Sequence, residues 1–274
     1  MGGWTSGQNA LMSEPGDLGN CSVQTERTWV TTVKIRVIEP VIGDTLDTTT
    51  IEEFSPVAGP DTELSVVHLD RGPASIESRY EAALAGPDVV RKAIEAEADG
   101  IDAVISNCMD DPGVEAAREM VSIPVIGPAQ SSMHVAAMLG HKFSIVGVLE
   151  ADAPPFFEHA VKAGLATRLA SVRAVNIPVL ELEDDRERLV GALVEQAAKA
   201  VTEDGAHVII FGCTGMAGLA RDVEEGLRTR GISDVPVIDP GLLAFKLAEA
   251  VAGMGLSHSK RTYPQPPEKE IVGY

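Results

Sequence analysis

Two cysteines occupy matching positions in two similar segments of this sequence. Residues 99–108 (DGIDAVISNC) and 204–213 (DGAHVIIFGC) each run from an Asp-Gly pair through an apolar stretch to a cysteine, and Cys213 follows Cys108 by 105 residues. Inverting a stereocentre needs a base on one face of a carbon and an acid on the other, and a thiolate facing a thiol supplies both. The matched pair therefore predicts two-base proton transfer at a carbon centre.

The setting predicted for each cysteine is the start of a helix, where the helix dipole and free N–H groups lower the pKa of a thiol toward neutrality. Asp110 and Asp111 are candidates to cap the first of these helices, but their negative charge would also hold the proton on Cys108. The backbone amides after each cysteine, with Asn107 and Thr214, are the expected donors to an enolate oxygen. A cysteine after an apolar strand can also be a small buried hydrophobe, so the interpretation depends on the pair.

The third cysteine and the histidines indicate neither a disulfide framework nor a metal site. Cys21 lies in residues 1–30, which are rich in Gly, Ser and Asn and are predicted to be a flexible leader outside the fold. A cysteine in such a segment has no fixed surroundings to tune its thiol. The sequence contains no CxxC or HxxxH spacing, so we expect no metal.

Short β-branched runs alternate with amphipathic stretches from Val33 onward. Strands separated by helices imply parallel sheets. In such sheets ligands bind beyond the carboxyl ends of the strands, where Cys108 and Cys213 both lie. The predicted strands are 33–38, 64–69, 103–106, 125–126, 143–148, 170–175, 208–211 and 235–238, and the predicted helices include 80–98, 113–121, 156–163 and 185–203.

The repeated strand, cysteine and helix pattern predicts an α/β fold of two similar lobes. Each lobe would be a parallel sheet flanked by helices, the lobes would be related by a pseudo-two-fold axis, and the site would lie in the cleft between them. We assign residues 31–132 with 241–256 to the first lobe and 133–240 to the second. Residues 257–274, which contain three prolines, are predicted to form an extended arm that could cross a neighbouring subunit.

The charge balance excludes several classes of partner. The 274 residues include 41 acidic and 22 basic side chains, for a formal net charge of −19. Such a surface repels nucleic acid and anionic membranes. No stretch approaches the roughly 20 apolar residues of a membrane helix, and the first residues lack a secretory signal pattern. We therefore expect a cytoplasmic protein whose partner is a small molecule.

Three motifs resemble those of a known family. Residues 107–113 (NCMDDPG) with 116–119 (AARE), residues 212–217 (GCTGMA) and residues 72–78 (GPASIES) are similar to motifs of the aspartate/glutamate racemase superfamily, in its hydantoin racemase-like branch. The resemblance spans about residues 33–255. It implies two α/β lobes with the site between them, chemistry without metal or pyridoxal phosphate, and a homo-oligomer.

The resemblance also implies roles for particular residues. By position, Cys108 and Cys213 would be the acid/base pair. The residues that would line the pocket are Ser75, Ile76, Asn107, Met109, Gly127, Thr214 and Gly215.

Two segments depart from the pattern of the branch. The first strand of the branch commonly ends with Asn-Pro-Asn, whereas residues 38–42 here read IEPVI, so a carboxylate (Glu39) and a valine (Val41) replace two amide side chains. Ile38, Glu39 and Pro40 are also pocket candidates. If Glu39 faces the pocket ionised, it disfavours a substrate carboxylate and favours a neutral ring or a cationic group; it could equally turn outward. Residues 125–132 lack the acidic residue that often follows Gly127 in the branch, which leaves the hydrogen bonds expected there without a donor or acceptor.

The function that these observations favour is racemisation or epimerisation at the carbon next to a carbonyl in a five-membered ureide ring, as in a 5-substituted hydantoin or allantoin. Three other enzyme activities stay open: racemisation of free aspartate or glutamate, maleate-type isomerisation, and decarboxylation with one cysteine, which the presence of two thiols disfavours. A non-catalytic ligand-binding protein on the same two lobes also stays open.

Overall fold

A computed structural model of the protein describes residues 32–43 and 45–270. The predicted leader, with Cys21, lies outside the described residues. Within the described part of the chain, no helix is long and apolar enough to cross a membrane.

The described residues form eight strands in two parallel sheets of four. The strands are β1 (Val33–Ile42), β2 (Thr62–Leu69), β3 (Ala103–Ser106), β4 (Val125–Ile126), β5 (Phe143–Gly147), β6 (Leu169–Ala174), β7 (Val208–Phe211) and β8 (Val237–Ile238). The first sheet has the order β2-β1-β3-β4 and the second has the order β6-β5-β7-β8. The same order in both sheets confirms the two-lobe α/β fold that the duplicated pattern predicts.

Eight α-helices cover these sheets. They are α1 (Thr45–Phe54), α2 (Arg79–Ala98), α3 (Val114–Met120), α4 (Pro128–Leu139), α5 (Ala153–Lys162), α6 (Arg186–Thr202), α7 (Ala220–Thr229) and α8 (Pro240–Gly253). Short 3-10 helices at Val179–Glu181 and Thr214–Met216 lie in loops at the cleft.

Each sheet is buried on both faces because alternate side chains of a strand point to opposite sides. In β7, Ile209 and Phe211 belong to the apolar cluster beneath α6 and α7, and Val208 and Ile210 belong to the cluster beneath α4 and α5. The first sheet is covered in the same way by α2 and α3 on one face and by α8 on the other. Continuous apolar strands of this kind are typical of parallel sheets.

Helices α4 and α8 connect the lobes. Helix α8 contacts β1, β3 and β4 of the first sheet, whereas α4 contacts β5 and β7 of the second, and the two helices pack against each other. The boundary drawn from the sequence between residues 132 and 133 falls inside α4. The contacts of α4 favour placing the whole helix with the second lobe, and the division into lobes otherwise stays a prediction.

The C-terminal arm lies against the first lobe of its own chain as far as Tyr263. The ammonium of Lys260 donates to the carbonyl oxygens of Arg118, Glu119 and Val121 at 2.6–3.0 Å, so it caps the end of α3. The guanidinium of Arg118 donates to the Tyr263 hydroxyl (3.2 Å) and lies over its ring. Residues 264–270 are exposed, and their contact with a neighbouring subunit stays a prediction.

A carboxylate from a distant loop caps α4. The side chain of Asp111 accepts hydrogen bonds from the amides of Ala129 (2.9 Å) and Gln130 (3.0 Å) in the first turn of the helix. Gly127 leaves the space for it, since a Cβ at residue 127 would lie 2.4 Å from the Asp111 carboxyl carbon. Asp111 therefore supplies the acceptor that residues 125–132 lack.

The start of α8 has an equivalent cap from a residue next to the helix. Asp239, which precedes α8 as Gly127 precedes α4, accepts from the amides of Leu242 (3.2 Å) and Gly218 (2.8 Å). The two similar halves of the sequence thus place a carboxylate at equivalent helix starts, α4 and α8, from different positions.

Replacing Gly127 by alanine should lower the free energy of unfolding. The new Cβ displaces the Asp111 carboxylate, and the loss of the cap together with overpacking costs about 2 kcal/mol. Gly191→Ala is the matched control, because a Cβ there meets nothing within 4 Å and residue 191 lies within α6, where alanine should add up to about 1 kcal/mol. Urea denaturation measures both variants, and similar effects of the two substitutions would contradict the steric argument.

Candidate active site

A cavity of about 660 Å³ lies between the two lobes. This volume is in the range of pockets that bind small molecules. The structure brings nine of the predicted site residues to the cavity wall: Glu39, Pro40, Ile76, Asn107, Cys108, Met109, Cys213, Thr214 and Gly215.

Three predicted pocket residues lie elsewhere. Ile38 is fully buried in the apolar core beneath α2, because the side chain before Glu39 must face the other side of the sheet. Ser75 is buried and its hydroxyl donates to the Glu77 carboxylate at 3.1 Å. Gly127 faces the Asp111 carboxylate that caps α4. These three residues are not part of the cavity wall, and a role for them in substrate binding stays a prediction.

Both cysteines stand two residues beyond the end of a strand. Cys108 follows β3 and Cys213 follows β7, and these strands hold equivalent central positions in their sheets. The two sheets direct their carboxyl ends at the same cleft, so both thiols reach the cavity wall.

A hydrogen bond across the cleft joins the two cysteine loops. The hydroxyl of Thr214 donates to the backbone carbonyl oxygen of Asn107 at 2.9 Å. The side-chain amide of Asn107 donates to the carboxylate of Glu39 at 2.8 Å. The Thr214 hydroxyl hydrogen is therefore already in use, and the prediction that it stabilises an enolate oxygen is not supported. Thr214 instead holds the loops in register.

The surroundings of the thiols raise their pKa values. Loss of hydration raises the pKa of Cys108 well above 9.0, and the charges of Asp110, Cys213 and Asp111 add to this effect, against one hydrogen bond from the Asp110 amide. In this setting, and in that of Cys213 described next, both thiols are protonated when no ligand is bound.

Cys213 has the same principal cause and different neighbours. Loss of hydration raises the pKa of its thiol to about 12, with further contributions from the carboxylates of Asp152, Glu77 and Glu39. The hydrogen bond from the amide of Gly215 opposes the shift.

The expected lowering of both thiol pKa values is therefore wrong, and the reason is the local backbone. Helix α3 begins only at Val114, six residues after Cys108. Cys213 precedes a 3-10 helix of three residues, Thr214–Met216. Neither element provides a sustained row of aligned peptide dipoles directed at the thiol, because the dipole effect acts within the first turn of a regular helix.

Glu39 lies in the cavity wall rather than turned outward. It is 4% exposed and accepts hydrogen bonds from the Thr50 hydroxyl (2.7 Å) and the Asn107 amide (2.8 Å). Of the two orientations that the sequence left open, the inward one is found. A carboxylate thus stands at the carboxyl end of β1, close enough to Cys213 to raise the pKa of its thiol.

The charged residues of the cavity wall are mostly acidic. Apart from Glu39, the acidic lining residues are Glu53, Glu77, Asp110, Asp152 and Glu183. Among the described residues, the cation that lines the cavity is Arg79, and its guanidinium makes a bidentate pair with Glu158 at 2.7 Å. The cavity therefore has a negative potential that disfavours anionic ligands.

The pKa of Glu53 reports this negative potential. Desolvation, then the charges of Asp239, Glu39 and Glu183, raise its pKa to about 7, and Arg186 opposes them. Near neutral pH this carboxyl group is therefore part protonated.

Sequence reasoning missed two carboxylates that organise the cavity. Glu77 of the first lobe accepts from the amide of Val179 in the second lobe at 2.8 Å. Asp152 accepts from the amides of Val148 and Leu149, both at 3.0 Å. Asp152 lies five residues beyond the end of β5, so a search for polar residues in the loops that follow the strands would have found it. In the described residues no group of three or more His, Cys, Asp or Glu could hold a metal ion.

Comparisons with known proteins agree with this geometry. A family model described as Asp/Glu/Hydantoin racemase matches residues 43–248. A hydantoin racemase of a Pseudomonas species is 37% identical over 88% of this chain and 95% of its own length. Two solved structures are similar with a TM-score of 0.81: allantoin racemase from Pseudomonas fluorescens, 36% identical over 88% of this chain and 100% of that one, and allantoin racemase from Klebsiella pneumoniae, 34% identical over 88% and 97%.

Solved structures below 20% identity share the fold alone. They include a glutamate racemase and a maleate isomerase, with TM-scores of 0.56 and 0.60. The family model and the relatives above 30% identity confirm the resemblance that the cysteine motifs indicate. This chain belongs to the Asp/Glu/hydantoin racemase family.

Proposed function

We propose that this protein is a cofactor-independent racemase that inverts the carbon next to a carbonyl in a five-membered ureide ring, such as a 5-substituted hydantoin or allantoin. The observation that carries the proposal is the pair of cysteines, one from each lobe, at equivalent strand ends in the wall of one cavity. Similarity to a hydantoin racemase and to allantoin racemases supports the choice of ring.

In the proposed reaction one cysteine acts as a thiolate and the other as a thiol. The thiolate removes the proton from the ring carbon, and the electron pair spreads onto the adjacent carbonyl. The thiol on the opposite face then gives its proton to the same carbon, which leaves the inverted ring and a thiolate on the second cysteine. Reversal of the roles of Cys108 and Cys213 serves the opposite enantiomer.

The raised thiol pKa values suit a weak carbon acid. A thiolate with a high pKa is scarce but strongly basic, and a base is more effective when its pKa approaches that of the proton it removes. The two groups interact, so their protons are lost in steps that belong to the pair.

The acidic wall supports a ring over a free amino acid or maleate. Aspartate, glutamate and maleate carry carboxylates that would face Glu39, Asp152 and Glu183 with little cationic compensation, since Arg79 is paired with Glu158. A hydantoin or allantoin ring is neutral, so it enters this cavity without that repulsion.

We also propose that the protein works in the cytoplasm as a homo-oligomer. Met138 and Leu139 at the end of α4 and Phe157 and Val161 on α5 are 54–83% exposed. Apolar side chains grouped on neighbouring helices support burial against another copy.

Light scattering after size-exclusion chromatography should give at least twice the mass of one chain, and the double substitution Phe157→Ser with Val161→Ser should shift the measured mass toward that of the monomer. A single-chain mass for the unaltered protein would contradict this assembly.

Replacing either cysteine by serine should abolish racemisation. Cys108→Ser and Cys213→Ser each remove one of two required proton carriers, so turnover of a single-enantiomer hydantoin or allantoin should fall at least about 100-fold. In deuterated water, each variant should retain proton exchange for one enantiomer only, and the two variants for opposite enantiomers. Optical rotation and proton NMR, with enzyme-free controls, measure both.

The same experiment separates the alternatives. L-aspartate and L-glutamate are offered in parallel, and racemisation of these alone would overturn the ring assignment. A non-catalytic binding protein would give no exchange with any substrate and would bind the ring equally well after either substitution.

The pH dependence should follow the raised thiol pKa values. Because the Cys213 pKa is about 12, the thiolate fraction grows throughout the range from about pH 7 to 8.5, where the ring is neutral, and kcat/KM should rise across it without a plateau. Removing a negative neighbour lowers a thiol pKa, so Glu39→Gln should move the rise to lower pH and increase kcat/KM at pH 8 about threefold.

Glu63→Gln is the control for that variant, because Glu63 is exposed on β2 and pairs with Lys34. Its profile should match that of the unaltered protein. A kcat/KM that is flat or falling between about pH 7 and 8.5 would contradict the protonated resting state of both thiols.

A further inference from the structure

We propose that His159 is a positioning residue that acts through Asp110 to control how readily Cys108 exchanges its proton. His159 lies on α5 in the second lobe, and its Nε2 is 3.4 Å from Oδ1 of Asp110 in the first lobe. The backbone N–H of Asp110 donates to Sγ of Cys108 at 3.4 Å. The inference rests on the proposed racemase function for its catalytic consequence, whereas the effect on the thiol is independent of any substrate.

Asp110 places a negative charge beside the thiol. Its side chain is part of the cavity wall, and its charge raises the pKa of Cys108. A protonated imidazole at His159 offsets that charge, so the thiolate of Cys108 forms more readily while His159 is charged. His159 does not line the cavity, so it acts on the thiol through Asp110 and not on the substrate.

The groups that face His159 favour its charged form. Burial lowers the pKa of the imidazole, but contact with Asp110 and the charge of Asp111 outweigh burial, with Lys162 opposing, and the pKa lies above its ordinary 6.5. The other charged groups nearby are paired: Glu158 with Arg79, and Lys162 with Glu115. His159 is therefore the group in this cluster that changes charge near neutral pH.

The effect of His159 through Asp110 is confined to the thiol of Cys108. The charged groups that act most strongly on Cys213 are the carboxylates of Asp152, Glu77 and Glu39, and Asp110 is not among them. Cys213 therefore serves as an internal reference in the same molecule. A change at His159 should alter Cys108 and leave Cys213 as it was.

The test is the alkylation of each cysteine by iodoacetamide between about pH 5.5 and 9, followed for the Cys108 and Cys213 peptides separately by mass spectrometry. The protein is full length, as unaltered chain, His159→Gln, and the control His134→Gln, whose imidazole is exposed on α4 and contacts the Gln130 carbonyl. At pH 6 Cys108 should react about fivefold more slowly in His159→Gln than in the unaltered chain, and the two rates should converge as the pH is raised and His159 of the unaltered chain loses its proton.

This convergence distinguishes the proposal from a structural role. Loss of packing alone would change the Cys108 rate by a factor that does not depend on pH, or would change Cys213 equally, and either result would overturn the inference. Asp110→Asn provides the second variant: in that background the effect of His159→Gln at pH 6 should shrink to less than about twofold, since the charge that His159 offsets is gone. An undiminished effect would overturn the route through Asp110.

Racemisation of a single-enantiomer hydantoin completes the test. In His159→Gln, kcat at pH 6 should fall about fivefold with KM nearly unchanged, and the difference from the unaltered chain should disappear as the pH is raised. If the unaltered chain racemises no ring, the proposed function fails while the alkylation result still decides the coupling of His159 to Cys108. If the ring is racemised and kcat of His159→Gln parallels the unaltered chain at every pH, the coupling has no catalytic role and the inference fails.

Discussion

The hydroxyl of Thr214 donates to the carbonyl oxygen of Asn107 across the cleft, and this contact joins the residues next to both cysteines. Each thiol is fixed within its own lobe by a strand and its helices. Their relation to each other depends on contacts between lobes, of which this one is nearest to the chemistry. The Glu77 contact with Val179 and the Arg79 pair with Glu158 also join the two lobes. Two-base chemistry requires opposed groups at a fixed separation, so these ties set the geometry of the reaction.

Much of the fold follows from periodicity, since the apolar runs of β3 and β7 and the repeated cysteines predict two alike sheets with a shared cleft. What the sequence could not give was orientation and distant partners. Side chains of β1 alternate between its two faces, which puts Glu39 into the cavity wall and Ile38 into the core, and the sequence did not show which of the two faces the cleft. The pKa direction of the thiols was missed because helix starts cannot be located to within a turn from sequence, and the dipole effect acts only over that distance.

The negative lining gives the cavity two consequences at once. It adds to the loss of hydration that keeps both thiols protonated in the absence of ligand, and it disfavours carboxylate ligands. Both effects have one origin, because charges that disfavour a thiolate also disfavour any other anion in the same space. A neutral ring whose carbanion spreads its charge onto a carbonyl is the kind of molecule for which such a cavity is suited.

The caps of α4 and α8 come from different positions in the sequence, and this difference bears on how the two halves of the chain diverged. One lobe keeps a carboxylate at the position before its helix, and the other has glycine there with Asp111 filling the vacated space. An acidic residue at both position 127 and position 111 would overcrowd the start of α4. An acidic residue at neither position would leave the amides of this helix start without an acceptor. A substitution at one of the two positions alone is therefore unfavourable, whereas a substitution at both keeps the cap. The two positions should change together, and each half of the chain keeps the arrangement that it now has.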